Sequence, residues 1–189
     1  MKAKYILPTV IILITVFLIF RRAYYQYQNN TSALKTFEVS PVVTQSVLGQ
    51  QTKTTNCIIH GPYPDTNCTP GAVFSTVTKD QICQPGYSKS VRNVSLDEKH
   101  QIYDEYGIYS HTAGQYEVDH LISLELGGSN DIANLWPEAA EPKPGYHEKD
   151  KVENYLHDQV CKGFISLQTA QQEIVHDWLG VYNNLPAGY

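Results

Sequence analysis

Four cysteines, Cys57, Cys68, Cys83 and Cys161, constrain this chain more than any other feature. An even count of cysteines, downstream of an apolar N-terminal run, points to two disulfides formed in an oxidising compartment. Three pairings are possible. The preferred one closes a local loop with Cys57 and Cys68 and ties the ends of the domain with Cys83 and Cys161. No pair has C-x-x-C spacing, so a cysteine-bound zinc is not expected.

The apolar run covers residues 5–20 (YILPTVIILITVFLIF) and holds no charge. Lys2 and Lys4 precede it, and Arg21 and Arg22 follow. A helix of that length spans about 24 Å, short of a hydrocarbon core of about 30 Å. Snorkelling Lys4 and Arg21, with Tyr24 and Tyr25 at the interface, cover the deficit. A cleaved signal peptide is the rival, but Arg21 and Arg22 stand where a small-x-small cleavage site belongs. The expectation is a signal anchor and transmembrane helix over residues 1–22, with the C-terminal domain outside the cytoplasm. Secretion is the alternative.

Residues 23–55 are rich in Gln, Thr, Ser, Asn and Val and read as a linker or stalk, with an extended stretch at 37–43. The folded domain is expected over residues 56–185. A net charge of −5 argues against binding nucleic acid by bulk electrostatics. It leaves room for an enzyme that holds one phosphate through a metal.

Turn signals dominate the first part of the domain, at Gly61-Pro62, Pro64-Asp65 and Pro70-Gly71. A short helix is expected at 79–83, stopped by Pro85-Gly86. Ser95 and Glu98 form a capping box for a helix that ends near Gly107. Apolar alternation from Tyr116 through Val118, His120 and Ile122 to Leu124 predicts a strand. Gly127-Gly128-Ser129-Asn130 is a loop. Residues 131–134 are too short for a real helix before Pro137, and Leu135-Trp136 fits a second short strand pairing with the first. After a Pro-rich break, Val152, Tyr155, Leu156 and Val160 mark a helix ending at Gly163. Ser166 caps a last helix striped by Leu167, Ala170, Ile174, Trp178 and Val181. The order is strand, loop, short strand, helix, flanked by helices, which is a small α+β domain.

Three side chains can converge in such a unit. His120 lies near the end of the first strand, Asn134 starts the second, and His147 sits in the first turn of the following helix. His147 and Asp150 share a helix face by their i,i+3 spacing. A neutral His suits general-base chemistry, and it needs an acceptor to fix its ring. Asp119 and His147 supply one oxygen and one nitrogen for a divalent cation of the kind that assists phosphodiester hydrolysis. Adjacent strand residues point to opposite faces, so Asp119 and His120 can serve one site only if the strand bends or the metal lies at its edge. Trp136 and Trp178 read as core residues, and Lys149 is balanced between a solvated charge and a phosphate contact.

Glu117-Val-Asp-His120, Leu-Gly-Gly-Ser-Asn130 and Asn134-Leu together resemble the HNH endonucleases, the ββα-metal or His-Me finger nucleases. The fuller resemblance is to a bacterial secreted or membrane-associated HNH-like group. It rests on C-T-P-G at 68–71, I-C-x-P-G-Y-x-x-x-V-R at 82–92, DHLISLELGGSN at 119–130, NLWPE at 134–138, H-x-K-D at 147–150 and Ala170-Gln171. It covers roughly residues 66–182. The resemblance implies a short hairpin packed on a helix around one metal. It implies His120 as general base, Asn134 as its orienting residue, and Asp119 and His147 as metal ligands. Asp150 or Asn154 is an alternative ligand, and Arg92 a phosphate contact. The implied cofactor is Mg²⁺, with Mn²⁺, Zn²⁺ or Ni²⁺ as alternatives. The implied partners are a nucleic acid substrate, DNA before RNA, and the membrane through the N-terminal helix. A non-catalytic extracellular binding or adhesion module that keeps the fold is the competing reading, supported by the stalk-like, Tyr-rich sequence.

Overall fold

The computed structural model describes residues 21–22 and 48–189. The expected apolar span at 5–20 and the extended stretch at 37–43 lie outside the described residues. Among the described residues, no helix is long and apolar enough to cross a membrane. Ser46–Tyr189 forms one compact unit. The last residues of the expected linker are already bonded to it. The amides of Thr52 and Lys53 donate to the Asn67 carbonyl at 2.8 and 3.1 Å, and Gln51 donates to the Glu105 carboxylate at 2.9 Å.

Within the compact unit, the described residues form five helices and one two-stranded antiparallel hairpin, a mixed α+β fold. Helix α1 (Lys79–Ile82) starts at Thr78, whose hydroxyl accepts from the Gln81 amide. Helix α2 (Tyr87–Val91) follows Gly86 and is too short to leave a periodic signal in the sequence. Helix α3 (Leu96–Glu105) carries the expected Ser95–Glu98 capping box, in which each side chain bonds the other residue's backbone N–H.

Strand β1 (Tyr116–His120) pairs with β2 (Leu135–Ala139), with Val118 opposite Pro137 and His120 opposite Leu135. Pro137 is tolerated because both strands of a two-stranded sheet are edge strands. The sequence alternation suggests a strand running to Leu124, but β1 stops at His120. The reason is local. The Leu121 amide still donates to the Asn134 backbone carbonyl, whereas the Ile122 amide is taken by the Asn134 side chain. The chain then tightens into a 3₁₀ turn at Leu124–Leu126. A second 3₁₀ turn, Ile132–Asn134, is capped by Asp131.

Helix α4 (Tyr146–Lys162) begins after Gly145 and ends at Gly163, and α5 (Leu167–Asn183) starts on the Ser166 cap. Asp177 breaks the helical backbone inside α5. Two apolar cores result. One joins Val152, Leu156 and Val160 of α4 to Ala170, Ile174 and Trp178 of α5, with Ile122 and Leu126 inserted. The other gathers Ile102, Tyr106, Val118, Leu121, Leu135 and Trp136 around Cys57 and Cys68. Consecutive residues, Leu121 and Ile122, thus enter different cores, and this pins the exit from β1 between them. Both tryptophans are buried, as expected.

The disulfides are Cys57–Cys68 and Cys83–Cys161, the preferred pairing. The first closes a local loop in the second core. The second fastens the end of α1 to the last turn of α4.

Candidate functional site

The end of β1 has two chemically different faces. His120 points to one of them and is only 2% exposed. Its Nε2 lies 3.2 Å from Asn130 Oδ1. The Asn130 amide is oriented by two backbone partners: its Nδ2 donates to the Val91 carbonyl at 2.8 Å, and its Oδ1 accepts from the Asn93 amide at 3.1 Å. An amide oxygen can only accept, so Nε2 carries the proton and Nδ1 keeps its lone pair. Nδ1 is buried and has no hydrogen-bond partner in the protein. Burial lowers the His120 pKa to about 4, against the smaller upward pull of Asp119 and Asn130. The imidazole is therefore neutral at pH 7, with a free basic nitrogen.

Asp119 faces the other way, towards α4. Its Oδ2 accepts from Lys149 Nζ at 2.7 Å. The same ammonium donates to the His120 backbone carbonyl at 2.9 Å and to Glu153 Oε1 at 2.6 Å, and it lies 3.5 Å from Glu138 Oε2. The sequence left Lys149 between a solvated charge and a phosphate contact; it is fully buried and is neither. Burial alone would lower its pKa, but three surrounding carboxyl groups raise it well above the ordinary lysine value. Burial likewise works to raise Asp119, and Lys149 outweighs it, holding Asp119 below its ordinary value and ionised. Burial pushes Glu138 well above the carboxylate range, and neither of its buried oxygens has a hydrogen bond. Glu153 is pushed up to about 7 by burial, with Lys149 opposing.

The structure answers the question of opposite-facing neighbours. Asp119 and His120 do point apart, as strand geometry requires. Lys149 binds the side chain of one and the backbone of the other, and so fixes both orientations from one helix.

Asn134 does a different job from the one its spacing suggests. Its side chain is fully used by backbone: Oδ1 accepts from Ile122 and Ala72, and Nδ2 donates to Ile122 and Ser129, all between 2.9 and 3.3 Å. It holds the loop between the strands, and Asn130 is the partner of the His120 ring. Gly128 makes this possible, because a Cβ there would overlap the Ile122 carbonyl oxygen and crowd Asn134 Nδ2.

His147 and Asp150 lie exposed in the first turns of α4, with the His147 ring centroid 4.3 Å from that of Tyr146. Asp150 is raised by partial desolvation and by Asp119, and lowered by Lys149, His147 and Arg92. Glu117 is raised by desolvation and by both Asp119 and Asp150, and lowered by Arg92 and Lys99. Arg92, exposed at the C-terminal cap of α2, also depresses His120. Charge interactions thus run from Asp119, His147 and Arg92 to Asp150 and from Arg92 to His120, while among the described residues no hydrogen bond or ion pair joins His147, Asp150 or Arg92 to Asp119 or His120. Asn154 turns its amide back to the Asp150 carbonyl at 2.7 Å.

Asp119, His147 and Asp150 carry metal-type donor atoms, but these atoms do not lie within 4.8 Å of one another as one compact set. Asp119 is ionised, Asp150 and His147 are exposed, and after desolvation it is the Asp119 charge that raises both Asp150 and Glu117, a repulsion that a cation would relieve. One Asp119 oxygen is shared with Lys149, so water would fill much of the coordination shell. Among the described residues, the one compact group of three metal-type side chains is Cys83, His157 and Cys161. Its two sulfurs are joined in a disulfide and offer no thiolate.

No protein-family model matches the chain, and neither a curated protein nor a solved structure matches it.

Glu153, Glu138 and Asn130 were given no role by sequence reasoning, and Lys149 was not recognised as a buried ion-pair partner. A signal existed for two of them. Lys149 and Glu153 fall on the helical stripe of Val152, Leu156 and Val160, where burial is the default.

Proposed function

We propose that this protein is a metal-dependent endonuclease of the HNH, ββα-metal type that hydrolyses phosphodiester bonds of nucleic acid, DNA before RNA, with little sequence preference. The observation that carries this reading is the state of His120: buried, neutral and held through Nε2 by Asn130, with Nδ1 unpartnered. A neutral imidazole with a free nitrogen takes a proton from an attacking water. Asn130 fixes the tautomer that leaves Nδ1 basic. Lys149 fixes the Asp119 carboxylate and the His120 backbone relative to each other. Asp119, His147 and Asp150 would hold the cation. A divalent cation, when bound, supplies Lewis-acid stabilisation of the charge that develops on the phosphate and leaving oxygens. Arg92 would meet a phosphate oxygen.

The signal anchor and extracytoplasmic placement belong to the same proposal, supported by the residues 1–22 pattern and by two disulfides.

The test is plasmid nicking by the full chain with Mg²⁺ or Mn²⁺, beside His120→Ala. The expected loss in the variant is about 10²–10⁴-fold. Unchanged nicking in His120→Ala would remove the assigned base. No cleavage of DNA or RNA with any divalent metal would leave the non-catalytic binding module.

A further inference from the structure

We propose that Tyr103, Tyr109, His111 and Tyr116 form a base-stacking subsite for single-stranded nucleic acid, reached from His120 along Arg92 and Lys99. The inference rests on the nuclease reading and names the part of the substrate that this surface would hold.

Three of the four rings form a continuous shelf, and Tyr109 lies on the loop beside it. Tyr103 and His111 lie with centroids 4.4 Å apart and planes tilted by 33°, and Tyr116 meets the His111 ring edge-on at 6.2 Å. Beside them is an open depression of about 480 Å³, with Tyr103, Ile108, Tyr109 and His111 in its wall. Tyr109 is 83% exposed, so its ring has no packing role in the domain. The Ile108 amide donates to the Tyr103 carbonyl at 2.8 Å and fixes the loop that carries Tyr109 and His111 to α3.

The shelf is continuous with the candidate site. Tyr116 opens β1 and His120 closes it, about 13 Å away at the usual strand rise. Arg92 sits between Val91 and Asn93, whose backbone groups hold the Asn130 amide on the His120 ring. Lys99 and Tyr103 are four residues apart on α3 and share its face. A strand passing from His120 therefore meets cations first and aromatic faces next.

That order suits a polyanion with stacking bases. Asp104 in the wall of the depression repels phosphate and leaves it to an uncharged aromatic plane. Stacking on exposed rings accepts any base, consistent with a nuclease that does not read sequence. The tryptophans, the usual candidates, are buried and cannot serve.

The experiment measures binding of the full chain by fluorescence anisotropy in EDTA, which prevents cleavage. The probes are a short oligothymidylate and an abasic strand of the same length. Tyr109→Ala and Tyr103→Ala should each weaken oligothymidylate binding about tenfold and leave abasic binding unchanged. Arg92→Ala should weaken both. Tyr109 is exposed, so its variant decides the matter without disturbing the fold. Wild-type affinity in Tyr109→Ala, or an equal loss on both strands, overturns the shelf. If the chain nicks plasmid while Tyr109→Ala binds normally, the shelf falls and the nuclease reading stands. If the chain binds oligothymidylate through the tyrosines but never cleaves, the shelf stands and the nuclease reading falls. Neither binding nor cleavage overturns both.

Discussion

The two faces at the end of β1 solve opposite problems with the same burial. On the His120 face, a single titratable ring is kept neutral, and one amide is enough to hold it. On the Lys149 face, four ionisable groups share a buried space and a charge persists. An ammonium without a carboxylate there would carry a desolvation cost of several kcal/mol, so its partners are obligatory. Burial makes a base available on one side and makes a rigid ionic clamp on the other. The reactive group is the lightly held one.

The sharpest way to break this contrast is Lys149→Met. It keeps the approximate volume and removes the charge, leaving Asp119 buried against Glu138 and Glu153 without a cation. A loss of about 3–5 kcal/mol is expected, read from urea unfolding. A loss below about 1 kcal/mol would mean that the clamp contributes little and that the end of β1 is held by its cores.

Titration separates the faces by sign. His120 has a folded pKa of about 4 against an ordinary value of 6.5. Between those values the unfolded chain binds a proton that the folded chain does not, so acidification through that window removes stability. Glu153 has a folded pKa of about 7 against 4.5. There the folded chain binds the extra proton, so its contribution is present below pH 4.5 and is lost as pH rises through 7. Each effect is about 3 kcal/mol at full extent. Relative to wild type, His120→Asn should hold its stability better between pH 7 and pH 4.5, and Glu153→Gln should hold it worse. Urea midpoints at the two pH values check both, and shifts of the same sign would undo the contrast.

The smallest effect belongs to Asn130→Ala. It removes one side-chain hydrogen bond to the ring and two to backbone, for an expected cost of about 1–3 kcal/mol. Cleavage should fall further than this stability loss implies, because the ring is no longer held in one tautomer. Activity and unfolding measured on the same preparation distinguish the two.

The sequence made the order of elements legible because periodicity and caps act locally. The Ser95–Glu98 box and the α4 and α5 stripes appear where they were expected, and β1 starts at Tyr116 as expected but ends early, at His120. The disulfide pairing followed from loop logic. What stayed hidden depends on contacts between elements. The alternation through Ile122 and Leu124 resembled a strand because both residues are buried, yet they are buried in a tight turn under Asn134. Asn130 and Asn134 are both amides within one loop, and spacing alone does not say which one faces the ring. Lys149 was masked by its charge, since a lysine on an apolar stripe reads as polar until three carboxyl groups are placed around it.

The four bonds of Asn134 carry a further consequence. One side chain stands in for two missing peptide units, closing a ring of main chain from residue 122 to residue 134 and stapling Ala72 to its rim. Such a ring can exchange its outward side chains freely, but it cannot change its perimeter. A single inserted or deleted residue would carry the amide away from all four partners at once. Variation around this site is therefore confined to substitution, and changes in length are displaced to the segments before Tyr116 and after Ala139.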